Sequence, residues 1–402
     1  MLVDKSDIKE SIDLFQGWLN SFGDISYDRM DYWSSSPGIL AKKLFYTNKV
    51  IGAPLALWGL ILENFLPNLQ KLYSTPHREV IGDAHFALGY LNLFQISKNE
   101  EYLSKANSYL AVMKSTSTKG YSGYAWGYTF GWQQSKGKFW KPGTPMITIT
   151  PYAFWAYKKH YELTQNQESY DIAVSIANFA LKDLNEVKMP NGTICSSYSP
   201  ISEDIVINAN SYRAAILNEA YDLCGKEDFK KAADANIEFI LSYQGKDGEW
   251  FYEAKGETDN FIDNFHTCFI LRNLYKCYLI NGDKELLASI KKGYKYYQKY
   301  LFYENGRPKH FAKAKYAKLR KYEMYDYAEG ISLGILLKDE IPAAFEVAQR
   351  LAKDLIENFQ TPKGHFLTRV TSLGTNHKVP YLRWPQAQLF YALTNIYKVI
   401  PD

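Results

Sequence analysis

Residues 208–248 read NANSYRAAILNEAYDLCGKEDFKKAADANIEFILSYQGKDG, and this stretch decides the fold. It contains two helical runs, at about 208–223 and 227–243, separated by a short break. In the second run, Ala233, Ile237, Ile240 and Leu241 recur at the spacing of one helix face. The stretch ends in the turn dipeptide Asp247-Gly248. It therefore predicts a helical hairpin followed by a tight turn.

The same unit recurs along the chain. Turn dipeptides that end in glycine are separated by steps of 72, 56, 58 and 58 residues, and each precedes a short aromatic or β-rich stretch: Lys119-Gly120, Asn191-Gly192, Asp247-Gly248, Asn305-Gly306 and Lys363-Gly364. The predicted helix pairs are 79–97 with 99–114, 146–164 with 167–186, 208–223 with 227–243, 262–280 with 284–301, and 324–337 with 341–358. A final helix is predicted at 383–398, with its partner at about 6–21 or 50–70.

About six repeats of a helical hairpin predict an all-α fold, an (α/α)6 toroid with short β-hairpin loops. One hairpin cannot bury its apolar faces alone, whereas closing a ring buries them all. No Pro/Gly/Ser-rich linker divides the chain. We therefore expect residues 1–402 to form one toroid domain, with the N-terminal helices (about 1–72) packing on or closing the ring. An open solenoid, with shorter and more regular repeats, is the alternative.

Composition narrows the function. Aromatic residues make up 16% of the 402 residues, including 33 Tyr and 9 Trp. Tyr and Trp combine an apolar face with a polar tip, which suits stacking on sugar rings, although a large helical core would also use them. A net charge of +4 is too small to indicate nucleic-acid binding.

The sequence also gives expectations about location. The start, MLVDKSDIKES, has no signal-peptide-like apolar stretch, and the four cysteines have no metal-like spacing, which favours a reducing cytoplasm. The most apolar run, Ile51 to Leu62, is interrupted by Pro54 and is too short to span a membrane. We expect a buried helix there, and peripheral membrane contact is the alternative.

In a toroid, the loops that lead into the inner helices open at one end of a central cavity, so functional side chains are expected there. The loop before the second pair is the densest in aromatic and hydroxyl groups, and we predict that it binds a glycan through Trp126, Tyr128, Trp132, Gln133, Thr148 and Tyr152. Further predicted substrate ligands are Asn210, Arg213, Arg383 and Trp384. An arginine fork suits a carboxylate, but Arg213 could instead form a structural ion pair, and Arg383 could close the ring against the N-terminus.

Four residues are candidates for catalysis. Asp83 and Asp326 each fall in the first turn of an inner helix, where a carboxylate is either a helix cap or an acid–base group. Asp263 and His266 are three residues apart and share a helix face, so the carboxylate could orient and charge the imidazole. A buried structural pair would have the same spacing.

Other signals are weak or absent. The stretch Arg307–Lys321 carries seven Lys/Arg and no acidic residue, so it either docks an anionic ligand or is a solvated loop. The motifs G-x-S-x-G, G-x-G-x-x-G, H-E-x-x-H and C-x-x-C and the P-loop are not found. We therefore predict no cofactor and assign no metal ligands.

Three stretches resemble a poorly characterised family of six-hairpin glycosidase-like toroids encoded among bacterial genes for capsule, O-antigen and other surface polysaccharides. They are YAWGYTFGWQQSKGKFWKPGTPMITITPYAFWA, DNFHTCFILRNL and YLRWPQAQLFYAL, within a likeness from about Asn48 to Leu393. The resemblance implies polysaccharide assembly or modification. The sequence departs from the family pattern at Gly131, where a carboxylate is usual, and at Asp326, whose partner histidine is missing. D-x-F-H-T at Asp263–Thr267 is similar to a stretch of uronyl C5-epimerases.

Three functional hypotheses follow. The first is glycoside hydrolase-like acid–base chemistry, with two of Asp83, Asp263 and Asp326 acting across a sugar of a surface polysaccharide. The second is a uronic-acid epimerase or lyase, with His266 or a tyrosine as the base and an arginine as the positive clamp. The third is a glycan-binding or scaffold protein without catalysis, which the two departures from the family pattern favour. The expected partner is an oligosaccharide or polysaccharide, possibly anionic.

Overall fold

The computed structural model describes residues 2–256, 258, 260–315 and 320–401. The chain begins with helices α1 (Lys5–Phe22) and α2 (Asp31–Ser34), followed by a helical hairpin of α3 (Ser36–Thr47) and α4 (Lys49–Phe65). Ser35 and Asn48 cap α3 and α4, since their side-chain oxygens accept hydrogen bonds from first-turn backbone N–H groups. A 3-10 turn at Pro67–Leu72 then leads into the rest of the chain.

Five helical hairpins and a last helix follow. They are α5 (Val80–Ser97) with α6 (Glu100–Thr116), α7 (Thr150–Thr164) with α8 (Gln167–Lys182), α9 (Ile207–Cys224) with α10 (Glu227–Ser242), α11 (Asn264–Asn281) with α12 (Lys284–Tyr300), α13 (Met324–Leu336) with α14 (Pro342–Phe359), and α15 (Ala387–Val399). The first helix of each hairpin packs against the first helix of the next, and α15 packs against α5, which closes the ring. The predicted (α/α)6 toroid is confirmed.

Helix α1 supplies the outer partner of α15. It packs against α14 and α15 and buries Ile8, Ile12, Phe15 and Leu19. The ring of Phe15 stacks on Phe86, Phe366 and Phe390. Of the two N-terminal stretches that could have completed the sixth pair, the one predicted at about 6–21 therefore does so.

The two layers of the ring have different burial patterns. In α5 every residue from Val80 to Phe94 is buried, because an inner helix has neighbours on all sides. In the outer helix α12, burial follows one stripe that includes Leu286, Ile290 and Tyr294. A stripe with this spacing covers a core on one face and leaves the other to water.

Short strands occupy the connections that lead into the inner helices: β1 (Trp132–Ser135), β2 (Lys138–Trp140), β3 (Glu186–Lys188), β4 (Ile194–Ser196), β5 (Ile262–Asp263), β6 (Phe311–Lys313), β7 (Arg320–Glu323), β8 (Arg369–Thr371) and β9 (Asn376–His377). Among the described residues they form small antiparallel sheets, β1–β2, β3–β4, β5–β6 and β7–β8–β9. All five predicted turn glycines have positive φ: Gly120, Gly192, Gly248, Gly306 and Gly364.

The expectation of a buried helix at Ile51–Leu62 is wrong. This run belongs to α4, where Ile51 is 59% exposed, Leu57 56% and Trp58 51%. The cause is the position of the α3–α4 hairpin outside the ring, where α4 has a partner on only one side. No helix in the described part of the chain is long and apolar enough to cross a membrane.

Candidate active site

The loops that lead into the inner helices gather aromatic side chains at one end of the ring. Many are half-buried, so each presents part of its ring to solvent: Tyr128, Phe130, Trp132, Tyr198, Tyr252, Phe261, Phe265 and Trp384. Partly exposed aromatic faces of this kind suit the apolar faces of sugar rings. This end of the ring is the candidate site.

Asp263 and His266 form a hydrogen-bonded pair at the start of α11. Asp263 Oδ1 accepts a hydrogen bond from the backbone N–H of His266 at 3.0 Å and so caps the helix. The imidazole Nδ1 of His266 lies 2.8 Å from Asp263 Oδ2 and donates to it. Nε2 is then the nitrogen that can exchange a proton with a ligand. The side chain of His266 is 21% exposed and that of Asp263 only 2%, so the histidine is the member that solvent reaches.

Asp326 also has a histidine partner, which corrects the sequence-based expectation that this histidine is missing. His310 Nδ1 lies 2.8 Å from Asp326 Oδ2, and both side chains are buried. Burial raises the pKa of Asp326 to about 6, although His310 acts to lower it. His310 lies 16 residues before Asp326, in the RPKHF stretch after Gly306, and no sequence signal marks it as a partner.

Strand pairing brings the two pairs together. Strand β6, which follows His310, pairs with β5, which contains Asp263. Both imidazole rings contact the ring of Phe265, with centroid distances of 4.2 Å for His266 and 5.7 Å for His310. The site thus holds two imidazole–carboxylate pairs around one phenyl ring.

A buried cluster from four inner helices fills the centre of the ring. Arg272 Nη1 donates to Glu329 Oε2 at 2.6 Å, and its Nη2 donates to the hydroxyl of Tyr212 at 3.2 Å. Tyr212 in turn shares a hydrogen bond with Tyr152, one of the predicted sugar ligands. Glu329 holds the pKa of Arg272 well above its usual range despite burial. Sequence reasoning missed Arg272 and Glu329, although Glu329 lies one helical turn after Asp326.

Trp384 lies between this cluster and the N-terminal segment. Its ring stacks on Tyr325 with centroids 3.6 Å apart and meets Phe265 edge-on at 5.3 Å. Its indole Nε1 donates to Glu323 at 3.3 Å, and the guanidinium of Arg29 lies 4.8 Å from its ring centroid. Phe265 therefore lies between Trp384 and the two imidazole rings of His266 and His310, and it contacts all three.

Arg383 closes the ring against the N-terminal segment. Its guanidinium donates to Asp28 at 2.5 and 2.6 Å, and both side chains are buried. The same guanidinium lies 4.9 Å from the ring centroid of Tyr128. Arg383 supports the aromatic loop from behind, and its charge is already balanced by Asp28.

Only some of the side chains predicted to bind a glycan in the loop before α7 lie at the open end of the ring. Tyr128 stacks on Phe130 with centroids 5.0 Å apart, and Trp132 stacks on Trp140 at 5.7 Å. The hydroxyl of Thr148 donates to that of Tyr198 at 2.7 Å. Trp126 and Gln133 are not brought to the open face. Both are buried, and they donate to the backbone carbonyls of Met113 for Trp126 and of Ser135 and Lys138 for Gln133.

Gly131 has no room for the carboxylate that the resemblance leads one to expect. A Cβ atom there would lie 2.7 Å from the carbonyl oxygen of Trp140 and 2.8 Å from the ring of Phe139. The packing of β2 against this loop therefore requires glycine.

Asn210 and Arg213 serve structural contacts. The Asn210 side chain accepts a hydrogen bond from the backbone N–H of Ser196 at 2.7 Å, which ties α9 to β4. Arg213 is fully buried and donates to the Ala180 carbonyl at 2.8 Å and to Glu186 at 3.0 Å. Arg213 therefore forms a structural ion pair, as in the alternative stated from the sequence, and it does so in the protein interior.

Asp83 lies in a separate, acidic pocket beside the N-terminal segment. Arg78 Nε donates to it at 2.7 Å, and burial nevertheless raises its pKa to about 7. Burial likewise raises the pKa of the neighbouring Glu79 to about 8, although Arg383 and hydrogen bonds from Thr129 act to lower it. His77 Nε2 lies 3.5 Å from Glu79.

The basic stretch is only partly described. Arg307 pairs with Asp354 at 2.8 Å, and Arg320 approaches the buried carboxylates of Glu63 and Glu323. Residues 316–319, and Asp259 ahead of Asp263, lie outside the described residues. Among the residues that are described, no three or more His, Cys, Asp and Glu side chains are arranged to hold a metal ion.

Comparisons with known proteins agree on the fold. No protein-family model and no curated protein matches the chain. A cellobiose 2-epimerase from Bacillus thermoamylovorans is 14% identical with a TM-score of 0.62, over 80% of this chain and 88% of its own. A sugar epimerase from a ruminal bacterium is 15% identical with a TM-score of 0.61, over 81% of this chain and 89% of its own. An α-mannanase from Bacteroides thetaiotaomicron is 12% identical with a TM-score of 0.57, over 80% of this chain and 86% of its own. The chain has the six-hairpin toroid fold of these sugar-acting proteins.

Proposed function

We propose that the chain is a carbohydrate-active enzyme that epimerises or isomerises a sugar by moving a proton at a carbon next to a carbonyl group. The observation that carries the proposal is the pair of imidazole–carboxylate units, His266–Asp263 and His310–Asp326, around Phe265. Removing and returning such a proton needs groups that can act as both base and acid near neutral pH, which is the chemistry of histidine.

His266 is assigned the proton-transfer role. Its Nδ1 is held by Asp263, so the ring orientation and the tautomer are fixed and Nε2 carries the reactive lone pair. Its partial exposure lets a sugar reach it. His310 is buried, and Arg320 Nη1 lies 3.2 Å from its Nε2. Both ring nitrogens of His310 are thus engaged, by Asp326 and by Arg320, so His310 positions Arg320. Arg320 is assigned to the oxygen that becomes negatively charged as the proton leaves the carbon.

The toroid fold is compatible with both reactions, since it is shared by epimerases with TM-scores of 0.61 and 0.62 and by an α-mannanase with a TM-score of 0.57. The choice of epimerisation or isomerisation over hydrolysis rests on the histidine pairs, which a hydrolase with two catalytic carboxylates does not use.

Glycoside hydrolysis is the second candidate, favoured by one observation. Asp263 acts to raise the pKa of Asp326, so the two carboxylates are close enough to influence each other. Both are engaged by a histidine, and Asp83 is engaged by Arg78 in the separate pocket. A hydrolase would use Asp326 as the acid, since its raised pKa of about 6 keeps part of it protonated.

The resemblance of three motifs to proteins of surface-polysaccharide gene clusters extends the proposal. The sugar would then be a component or intermediate of a bacterial surface polysaccharide. A uronic acid is included among the possible substrates, because its carboxylate also makes the neighbouring carbon acidic.

The test is to incubate the native chain with aldoses, ketoses, disaccharides and uronic acids and to identify products by NMR. We expect interconversion of an aldose with its epimer or ketose. His266→Gln should lower kcat by about 10²–10⁴-fold, and Asp263→Asn should lower it less. His365→Gln is the matched control, because His365 packs on Trp18 away from this site. New reducing ends without epimer or ketose would favour the hydrolase, and retained turnover in His266→Gln would refute the assigned role.

A further inference from the structure

Three arginines and two glutamates meet behind Trp384. Arg369 is fully buried, with its Nη1 2.9 Å from Glu63 Oε1 and its Nε 3.4 Å from Glu323 Oε2. Arg320 lies farther from the same carboxylates, at 3.9 and 3.8 Å. Arg29 lies over the indole of Trp384 at 4.8 Å. Three positive charges thus share two negative ones.

The excess positive charge lies on Arg29 and Arg320. Within the described part of the chain, no carboxylate lies within ion-pair distance of Arg29, and Arg320 makes its hydrogen bond to His310 Nε2 at 3.2 Å. Burial and the charges of Arg320 and Arg369 lower the pKa of Arg29 to about 10, although Glu323 and Glu63 act to raise it. An arriving anion would relieve this repulsion between guanidinium groups.

Arg29 and Arg320 are also less buried than Arg369. The side chain of Arg320 is 25% exposed and Arg29 is half-buried, whereas Arg369 is 0% exposed. Arg29 contacts Trp384 and Arg320 contacts His310, so both adjoin the histidine pairs. An anionic group bound between them would hold a sugar beside His266.

We propose that Arg29 and Arg320 form an anion subsite, and that the substrate is a sugar bearing a carboxylate or a phosphate. The proposal rests on the proposed function and narrows it to a substrate class. Planar guanidinium groups bind both kinds of anion through paired N–H donors. The arginines predicted for this role from sequence, Arg213 and Arg383, are already occupied by Glu186 and Asp28.

The test measures binding rather than turnover, so it can fail without the proposed function failing. Glucuronate, glucose 6-phosphate and glucose are titrated by calorimetry into the native chain, Arg29→Gln and Arg307→Gln. Arg307→Gln is the matched control, because it removes one surface charge paired with Asp354. Thermal unfolding checks that each variant is folded.

We expect the native chain to bind at least one anionic sugar about tenfold more tightly than glucose, a margin of 1.4 kcal/mol. Arg29→Gln should remove that margin and leave glucose binding unchanged, and Arg307→Gln should leave it intact. Preference for glucuronate identifies a carboxylate subsite, and preference for glucose 6-phosphate identifies a phosphate subsite. Equal binding of all three sugars, or an unchanged margin in Arg29→Gln, would overturn the proposal.

A second, independent observation concerns the α3–α4 hairpin. Between Lys49 and Glu63 there is no charged residue, and the outer face is apolar: Val50 is 84% exposed, Leu57 56% and Trp58 51%, and Leu40 of α3 is 53% exposed. The inner face is fixed to the protein, since a Cβ atom at Gly59 would lie 2.0 Å from the ring of Tyr32. A contiguous exposed apolar face of this kind marks an interaction surface.

We propose that the outer face of this hairpin docks on an anionic lipid bilayer. Exposed Lys43 and Lys49 border the apolar face, and lysines beside exposed leucine and tryptophan complement an acidic membrane surface. Leucine and tryptophan would enter the headgroup region while the lysines bind lipid phosphates.

Co-sedimentation with phosphatidylglycerol/phosphatidylcholine vesicles and with pure phosphatidylcholine vesicles tests this surface. We expect binding to the acidic vesicles, weakened about tenfold by Leu57→Ser/Trp58→Ser and by high salt. Both side chains are exposed, so circular dichroism should show an unchanged fold. Failure to bind acidic vesicles would overturn the proposal. Light scattering that shows a dimer in the native chain and its loss in the double variant would also overturn it, because the face would then bind another copy of this chain.

Discussion

The ion pair between Arg272 and Glu329 lies near the centre of the ring, where the two side chains are only 10% and 3% exposed. Arg272→Met leaves Glu329 as an unpaired buried charge, and we expect it to lower the free energy of unfolding by about 3–5 kcal/mol. The double variant Arg272→Met/Glu329→Leu should lose distinctly less free energy of unfolding than Arg272→Met, because it removes both charges. Urea unfolding of the two variants provides the measurement, and equal losses would show that the unpaired charge is not the cause.

Glu79 makes stability depend on pH. Its pKa is about 8 when folded, against 4.5 ordinarily, and the groups that face it are Arg383, Asp28, His77 and Thr129. Between those values the folded chain keeps a proton that the unfolded chain has released, so stability falls as pH rises. We expect the free energy of unfolding of Glu79→Gln to fall with pH by up to about 4 kcal/mol less than that of the native chain.

Urea unfolding at pH 5, 7 and 9 measures the effect of Glu79→Gln, with Glu162→Gln at an exposed position as the control. The native chain and the control should lose stability across this range more steeply than Glu79→Gln does. Identical pH slopes for the native chain and Glu79→Gln would contradict the assignment.

At the residue scale, sequence reasoning succeeds where chemistry is local. The spacing of Asp263 and His266 predicts their contact, because residues three apart on a helix are neighbours. The contact of His310 with Asp326 joins the segment before β6 to the first turn of α13, and nothing local in the sequence marks it. Arg29 and Arg320 meet near Trp384 for the same reason, since they come from distant parts of the chain.

At the scale of elements, the turn glycines differ in how much they constrain the chain. Gly248 has φ of +103°, and a Cβ there would lie 2.5 Å from the carbonyl oxygen of Lys292, whereas Gly306 has φ of +79° with open space around it. We expect Gly306→Ala to cost about 1 kcal/mol for the left-handed backbone, and Gly248→Ala to cost clearly more because of the added clash. Thermal unfolding measures the stability of the two variants. Equal losses of stability would show that the clash with the Lys292 carbonyl has no effect.

The helices of the five ring hairpins were predictable to within a few residues because each of these hairpins carries its own turn signals, whereas α2 and α3 were not predicted. Helix α12 was predicted at 284–301 and spans Lys284–Tyr300, with Asp283 as its cap. Helix α4 was also found, but its burial was not, because an apolar run does not reveal whether another element covers it. The exposure of this face follows from where α4 lies in the tertiary structure, whereas its apolar composition alone predicted a buried helix.

At the scale of the molecule, α1 completes the outer layer of the ring through Phe15, which joins α1 to Phe86 and Phe390 of the inner helices α5 and α15 and to Phe366. Phe15→Ala should cost about 3–5 kcal/mol, because a fully buried ring is removed and a cavity is left. Leu14→Ala, at a largely exposed neighbouring position, should change stability by less than about 0.5 kcal/mol. Urea unfolding measures both losses, and similar effects of the two substitutions would mean that Phe15 does not anchor α1 to the inner helices.

The toroid also determines where chemistry can occur. The Arg272 cluster fills the ring centre, so a ligand reaches the histidines from the end where the β-hairpin loops lie. That end presents the aromatic faces, both imidazole–carboxylate pairs and the Arg29–Arg320 surface. They come from the N-terminal segment and from several of the connections between hairpins, and ring closure brings them to one place.

Solvent isotope exchange tests the proposed proton transfer at His266 directly. Candidate sugars, neutral and anionic, are incubated with the chain in D2O, and NMR follows the proton on the carbon next to the carbonyl. We expect deuterium at that carbon with the native chain and with His365→Gln, and none above background with His266→Gln. Sugars that are turned over without deuterium at that carbon, or exchange that persists undiminished in His266→Gln, would contradict a proton transfer centred on His266.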